Sequence, residues 1–285
     1  MQWTVGKIGD ALKVGAPFSL VHQRVAGFSI DSRTLKPGQV FFALKGPHHD
    51  GHDHVEEALQ RGAVICIVSD TRRMTYPPVL HKSLIGCPDT FEAFQQLARS
   101  TRRTWGRILV GVTGSMGKTT TKEMLAALLA TKYKLLKNEG NLNNEYGVPL
   151  TLLRLERAHE LAVLEMAMGR KGELAKLCAV AEPNIGLVTN VAPVHLEFFS
   201  SLDEIAEAKR ELLQGLAAPA IAVLNADDER VRRFAEGFRG KVLRFGSQDP
   251  ANVRLENLAD NGCLGTEFDL VVGAPEGRGS FYGYV

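Results

Sequence analysis

The stretch GVTGSMGKTTTKEM, residues 111–124, lies between an apolar run and a run with helical periodicity. In a loop that follows a buried strand and precedes a helix, backbone N–H groups point outward and the helix N-terminus adds a partial positive charge. Gly114 and Gly117 carry no Cβ atom that would block close approach of a ligand. Lys118 supplies a charge for the outer phosphates, and Thr119 supplies a hydroxyl for Mg2+. The stretch therefore predicts a loop that binds a phosphate chain.

This loop departs at one position from the general pattern G-x-x-x-x-G-K-[ST], because Val112 occupies the place of the first glycine. The alternative is a glycine-rich turn between a strand and a helix that carries a lysine by chance. A turn of that kind does not require a Lys-Thr pair, so the pattern favours the phosphate loop.

Around this stretch, short β-branched runs alternate with longer helical periods, which is the pattern of an α/β protein. From residue 107 onward the alternation is regular and predicts parallel strands joined by right-handed helical connections. The predicted strands are residues 40–44, 63–69, 107–114, 160–167, 184–191, 220–226 and 241–245. The predicted helices are residues 53–62, 90–105, 118–133, 172–181 and 201–216.

Two domains are expected from this change in regularity. The first part of the chain is less regular and is rich in Gly, Pro and His around LKGPHHDGHDH, residues 44–54. We expect a small first domain at residues 1–84 and a second domain at residues 85–285, with a joining helix at the start of the second.

Composition limits the classes of function. The 285 residues are 45% hydrophobic and can bury a sizeable core, and the net charge of +2 comes from interspersed charges that form no continuous basic face for nucleic acid. The four cysteines form no CxxC pair, which indicates a reducing compartment. The N-terminus has no apolar signal region, and no apolar run reaches the roughly 18 residues of a spanning helix. A cytoplasmic, soluble protein without membrane insertion is expected.

Three further residues are candidates for a site. Glu165 comes near the end of a predicted strand, at the edge where parallel sheets bind ligands, and a carboxylate there would suit Mg2+. His195 lies just beyond the next strand, and Lys209 lies on the following helix. The alternatives stay open at this point: a solvated glutamate at a strand end, a packed or capping histidine, and a lysine on a solvated helix face.

Five separated segments together resemble the Mur ligase family of peptidoglycan synthesis. The segments are TGSMGKTTTKEM (113–124), NEGNLNNEYGVPLTLLRL (138–155), VLEMAMGRKGEL (163–174), TNVAPVHLEFF (189–199) and EIAEAKRELL (204–213). Residues 28–63 resemble the first domain of the members that add D-alanyl-D-alanine. The resemblance implies a small N-terminal α/β UDP-binding domain, then a mostly parallel-sheet central domain of the phosphate-loop ATPase type. It also implies that a C-terminal domain of the family is absent from this chain.

The resemblance also implies roles for individual residues. It assigns ATP phosphates to Gly114, Ser115, Met116, Gly117, Lys118, Thr119 and Thr120. It assigns Mg2+ to Thr119, Glu165, His195 and a carbamylated Lys209, and it makes Lys118, Lys209 and His195 catalytic. It assigns UDP and muramoyl-peptide contacts to Ser32, Arg33, Lys45, Asn141, Asn143 and Asn144, within the wider segment 138–144.

The implied function is ATP-dependent ligation of D-alanyl-D-alanine to UDP-N-acetylmuramoyl-tripeptide through an acyl phosphate, by a monomer that requires ATP and Mg2+. Two other interpretations stay open. The chain could be a non-catalytic nucleotide- or UDP-sugar-binding module, or it could be another acid-amino-acid ligase that uses a different acceptor, such as the family member that adds the third peptide residue or a folylpolyglutamate ligase.

Overall fold

The computed structural model describes residues 2–194, 197–248, 250–260, 266–274 and 277–284. The helices are α1 (Val5–Leu12), α2 (Val55–Gln60), α3 (Asp70–Arg73), α4 (Thr90–Trp105), α5 (Lys118–Ala130), α6 (Gly147–Leu152), α7 (Glu173–Ala181), α8 (Leu202–Gln214) and α9 (Glu229–Arg233). The strands are β1 (Gly27–Ser29), β2 (Gln39–Phe42), β3 (Ile65–Ser69), β4 (Leu84–Cys87), β5 (Leu109–Thr113), β6 (Leu135–Lys137), β7 (Leu161–Glu165), β8 (Ile185–Val188), β9 (Ile221–Asn225), β10 (Lys241–Gly246), β11 (Val253–Asp260), β12 (Thr266–Ala274) and β13 (Gly277–Tyr284).

The chain divides into two compact units. Unit 1 is Met1–Arg107 with Tyr146–His159, and unit 2 is Ile108–Glu145 with Glu160–Val285. The predicted boundary after residue 84 concerns the domains of the family and stays a prediction. The compact units divide later because α4 packs on unit 1, where Phe94 lies against Phe42 with ring centroids 5.1 Å apart.

Unit 1 contains a parallel sheet in the order β1-β2-β3-β4. The strands are short and apolar because helices cover the sheet, and both Phe41 and Phe42 are fully buried. Helix α4 begins after Asp89, whose carboxylate accepts hydrogen bonds from the N–H groups of Phe91 and Glu92. It ends at Gly106, which has a left-handed φ of +67°.

Unit 2 contains a sheet in the order β13-β12-β11-β10-β9-β8-β5-β7-β6. In this spatial order, every neighbouring pair from β6 across to β11, including both pairs of β5, is parallel. Strands β12 and β13 continue the sheet in antiparallel pairing. Strand β5 is buried along its whole length between β7 and β8. Leu125 and Leu129 of α5 cover the cluster of Val110, Val112 and Val163 on one face of this sheet.

The predicted α/β class is therefore confirmed, with a small parallel sheet followed by a larger, mostly parallel one. Among the described residues, no helix is both long enough and apolar enough to cross a membrane.

Candidate nucleotide-phosphate site

The predicted phosphate loop lies at the carboxyl edge of the unit 2 sheet. Val112 of β5 is in register with Glu165 of β7, and Thr113 is in register with Val188 of β8. Because parallel strands end at the same edge, the loop 114–117, Glu165 and the segment after β8 come together there. Helix α5 then begins at Lys118, with its N-terminus at the same edge.

The two glycines of the loop are required for different reasons. Gly114 has a φ of +151°, and a Cβ at this position would lie 1.8 Å from Oγ1 of Thr189. Gly117 has a φ of +77°, but a Cβ there would meet no atom within 4 Å. Gly114 is thus required by close packing, whereas Gly117 is required by the left-handed turn that starts α5.

The segment 189–192 after β8 fixes the shape of the loop. The N–H groups of Ser115 and Met116 donate to the backbone oxygen and the Oδ1 of Asn190, at 3.0 and 2.9 Å. The hydroxyl of Thr189 donates to the carbonyl of Met116 at 2.7 Å. The hydroxyl of Ser115 donates to the carbonyl of Ala192 at 3.0 Å. Thr189 and Asn190 are not among the predicted site residues, although both lie in a segment that carries the resemblance.

Lys118 lies over the loop that it follows. Its Nζ donates to the carbonyls of Gly114 and Ser115, at 3.0 and 2.9 Å. Burial lowers the pKa of Lys118, and the charge of Glu165 acts in the opposite direction. The ammonium group is therefore held at the loop by carbonyl oxygens, which a stronger acceptor such as a phosphate oxygen could replace.

Glu165 is buried, with 2% of its surface exposed. Its Oε2 accepts from the hydroxyl of Thr119 at 2.7 Å, and its Oε1 accepts from the side-chain amide of Asn143 at 2.8 Å. The described residues contain no group of three or more His, Cys, Asp or Glu side chains that could hold a metal ion. One carboxylate beside one hydroxyl nevertheless fits Mg2+, because this ion keeps several waters and takes other ligands from substrate phosphates.

Lys209 lies on α8 and is buried, with 2% of its surface exposed. Burial, together with the smaller effect of the charge of Lys118, lowers the pKa of Lys209 to about 7. Within the described residues its Nζ has no hydrogen-bond or ion-pair partner. Glu211 instead accepts from the N–H groups of Gly172 and Ala175, and Glu207 pairs with Arg210. The alternative of a solvated helix lysine is thus wrong. The predicted ligand His195 lies outside the described residues.

The residues assigned to UDP and to the peptide have different surroundings. In unit 1, Lys45 is exposed and the hydroxyl of Ser32 donates to Glu57 at 2.9 Å. Arg33 is exposed and pairs with Asp31 at 2.7 Å, and its hydrogen bond holds the pKa of Asp31 below the ordinary value. The contact of Arg33 with the diphosphate stays a prediction.

The asparagines of the segment 138–144 divide into two groups. Asn141 and Asn144 are exposed, so both can reach a ligand, whereas Asn143 contacts Glu165. Asn138 is fully buried and cannot line a substrate, which corrects the prediction that the whole segment 138–144 does so.

A glycine loop at the carboxyl edge of a parallel sheet, followed by Lys-Thr and faced by a buried carboxylate, defines an α/β protein of the phosphate-loop class. Residues 112–278 match the family model described as Mur ligase middle domain, and residues 24–102 match the model described as Mur ligase family, catalytic domain. The chain belongs to the Mur ligase family, as the resemblance of its motifs predicted.

The proteins to which this chain is similar include one curated relative and two solved structures. The UDP-N-acetylmuramoyl-tripeptide--D-alanyl-D-alanine ligase of Bacillus subtilis is 41% identical over 246 residues, which are 86% of this chain and 52% of the relative. MurF from Acinetobacter baumannii superposes with a TM-score of 0.85 at 26% identity, over 99% of this chain and 60% of that one. MurF ligase from Thermotoga maritima in complex with ADP has a TM-score of 0.77 at 33% identity, over 90% of this chain and 57% of that one. The chain spans about half the length of the curated relatives it matches.

Proposed function

We propose that this chain supplies the nucleotide site and the UDP-substrate site of an ATP-dependent ligase that joins D-alanyl-D-alanine to UDP-N-acetylmuramoyl-tripeptide. The observation that carries the proposal is the loop 114–117, with Lys118 above it and the Thr119–Glu165 pair beside it. Similarity to a ligase of that name supports the choice of substrates, and similarity to a MurF ligase solved in complex with ADP supports the choice of nucleotide.

In the proposed reaction, the terminal carboxylate of the tripeptide attacks the γ-phosphate of ATP and gives an acyl phosphate. The amine of D-alanyl-D-alanine then displaces phosphate through a tetrahedral intermediate. Negative charge develops on phosphoryl and carboxyl oxygens in both steps, so the catalytic task is to orient the reactants and stabilise that charge.

The residues of the site divide this task. The N–H groups at the N-terminus of α5 bind phosphate oxygens, and Lys118 moves from two carbonyl oxygens to the phosphates. Glu165 and Thr119 would hold Mg2+, which neutralises phosphate charge when it is bound. Lys209, as a carbamate, would add a second anionic ligand at the same edge.

The Lys118→Ala variant tests the nucleotide site. We expect its affinity for ATP with Mg2+ to fall by tenfold or more in calorimetry, because the outer phosphates lose their cation. The circular dichroism spectrum should not change, since the hydrogen bonds of this side chain to described residues go to carbonyls of its own loop. Lys176→Ala, at an exposed position of α7, is the control for loss of one positive charge. Equal ATP affinity in wild type and Lys118→Ala would contradict the site.

Phosphate release tests the reaction itself. A panel of UDP-muramoyl peptides and amino acceptors would be supplied to this chain and to a version extended to the length of its relatives. We expect turnover that requires both UDP-N-acetylmuramoyl-tripeptide and D-alanyl-D-alanine in the extended version. Turnover with another acceptor would indicate a different ligase, and ATP binding without turnover in both would indicate a non-catalytic binding module.

A further inference from the structure

Lys122 is a lysine without any exposed surface on a helix that serves the proposed nucleotide site. It lies on α5, three residues after Thr119, and its relative exposure is 0%. Its Nζ donates to the backbone carbonyl of Asn138 at 2.8 Å and pairs with Glu123 at 2.9 Å. A buried ammonium group is expensive, and an apolar side chain of similar size would fill the same space at lower cost. The lysine therefore calls for an explanation beyond packing.

Its partner Asn138 holds the backbone of Glu165. The Oδ1 of Asn138 accepts from the N–H of Glu165 at 2.9 Å, and the Nδ2 donates to the carbonyl of Glu165 at 2.9 Å. The same Nδ2 donates to the carbonyl of Leu142 at 2.8 Å. The register of β6 with β7 ends at the pair Lys137 and Val163, so the side chain of Asn138 continues the pairing where the strands no longer do so.

Glu165 is therefore fixed from two directions, and α5 takes part in both. Thr119 of α5 contacts the carboxylate directly, at 2.7 Å. Lys122 of α5 holds Asn138, which fixes the two peptide groups on either side of the Cα of Glu165. A carboxylate that must bind a cation in one orientation needs a fixed main chain as well as hydrogen-bonded oxygens.

We propose that Lys122 and Asn138 are positioning residues that hold the Glu165 carboxylate where a divalent cation binds beside the phosphate loop. The inference rests on the proposed function, because it takes Glu165 to act on a cation that accompanies a nucleotide. Neither residue contacts that cation: Asn138 acts through the backbone of Glu165, and Lys122 acts through Asn138.

The test compares Lys122→Met and Asn138→Asp with wild type in ATP binding by calorimetry over a series of Mg2+ concentrations. The methionine fills the volume of the lysine without its charge or donors. The aspartate keeps the volume of the asparagine and its acceptor but loses the donor to the carbonyl of Glu165. We expect the Mg2+ concentration for half-maximal binding to rise about tenfold in each variant, while ATP binding measured in EDTA does not change.

Controls separate positioning from a general loss of stability and from failure of the proposed function. Lys176→Met removes an exposed lysine and should leave the Mg2+ dependence as in wild type. A purely structural role of Lys122 or Asn138 would lower the thermal unfolding midpoint without moving the Mg2+ dependence, and that result overturns the inference. Failure of both Lys122→Met and Asn138→Asp to fold also overturns the inference, because the two residues would then be required for folding itself. If wild type and Lys118→Ala bind ATP equally, the proposed function fails, whatever these variants do.

Discussion

At the scale of single residues, the positive charges of Lys209 and Lys118 repel each other. Both ammonium groups lie in unit 2, and burial together with the charge of Lys118 lowers the pKa of Lys209 to about 7. Two cations close enough to act on each other would also repel a Mg2+ ion bound near them. Conversion of Lys209 to a carbamate would reverse the sign of one of them, which is why the proposed role of Lys209 is that of an anion.

The Lys209→Ala variant tests this role in a version of the chain extended to the length of its relatives. We expect nearly complete loss of phosphate release, because the site loses an anionic ligand, and partial recovery when a short carboxylic acid is added to the buffer. Lys241 and Lys176 are exposed, so alanine at either position should be tolerated. Wild-type activity in Lys209→Ala would contradict the role. So would an inactive variant that no acid restores, together with no carbamate signal from labelled CO2 in carbon NMR.

Arg33 provides a test of the UDP site in unit 1. Its guanidinium is exposed and pairs with Asp31, and the planar group could exchange that partner for a diphosphate. We expect Arg33→Ala to weaken binding of the UDP-muramoyl peptide while ATP binding stays as in wild type, measured by calorimetry for each ligand. Arg33→Lys should give an intermediate loss, because it keeps the charge but not the two-pronged contact. Equal losses for both ligands, or no loss for either, would count against the assignment.

The residue types that carry charge at the site could be predicted, whereas the residues that hold them could not. Lys118, Thr119 and Glu165 follow from a glycine loop and a strand end, which are local patterns. Asn138 and Lys122 act through hydrogen bonds to backbone atoms that are 27 and 16 residues away in sequence, and no local pattern indicates such contacts. The burial of Lys209 was also missed, because a charged residue on a helix is usually exposed.

At the scale of elements, the sequence predicted the central strands better than the edges. Strands β5, β7, β8 and β9 are apolar runs bounded by turns, and each lies within its predicted range. Strands β1 and β6 have three residues each, which is too few for an alternation of side chains to appear. Helices α1 and α9 were missed as well, although Thr4 and Asp228 cap their first turns with side-chain oxygens. Start signals alone were thus insufficient where the helix is short.

The junction of β5, loop and α5 can be tested with its two glycines. We expect Gly114→Ala to lower the free energy of unfolding by roughly 3 kcal/mol, because the new Cβ would overlap Oγ1 of Thr189. Gly117→Ala should cost only about 1 kcal/mol, the strain of a left-handed residue in open space. Urea unfolding measures both. Equal losses would mean that backbone strain, and not contact with the segment after β8, determines the need for Gly114.

At the scale of the whole molecule, the two units carry separate reporters of their stability. Cys66 and Cys87 are buried in unit 1, and Cys178 is buried in unit 2. Burial raises the pKa of each thiol to about 12. A protonated and inaccessible thiol reacts slowly, so alkylation of these residues at pH 8.5 requires that the surrounding structure open first.

Alkylation in increasing urea, with and without ATP and Mg2+, therefore locates the nucleotide in the chain. A ligand that binds only the folded state stabilises the structure that forms its site, by about 2.7 kcal/mol when its concentration is a hundred times the dissociation constant. Because the proposed site lies wholly in unit 2, we expect ATP with Mg2+ to move the alkylation midpoint of Cys178 to higher urea and to leave those of Cys66 and Cys87 in place. Mass spectrometry of the alkylated peptides distinguishes the three cysteines, and Lys118→Ala should abolish the shift at Cys178. A shift at Cys66 and Cys87 without one at Cys178 would place the nucleotide in unit 1 and contradict the site, whereas equal shifts at all three would mean that the two units unfold in a single step.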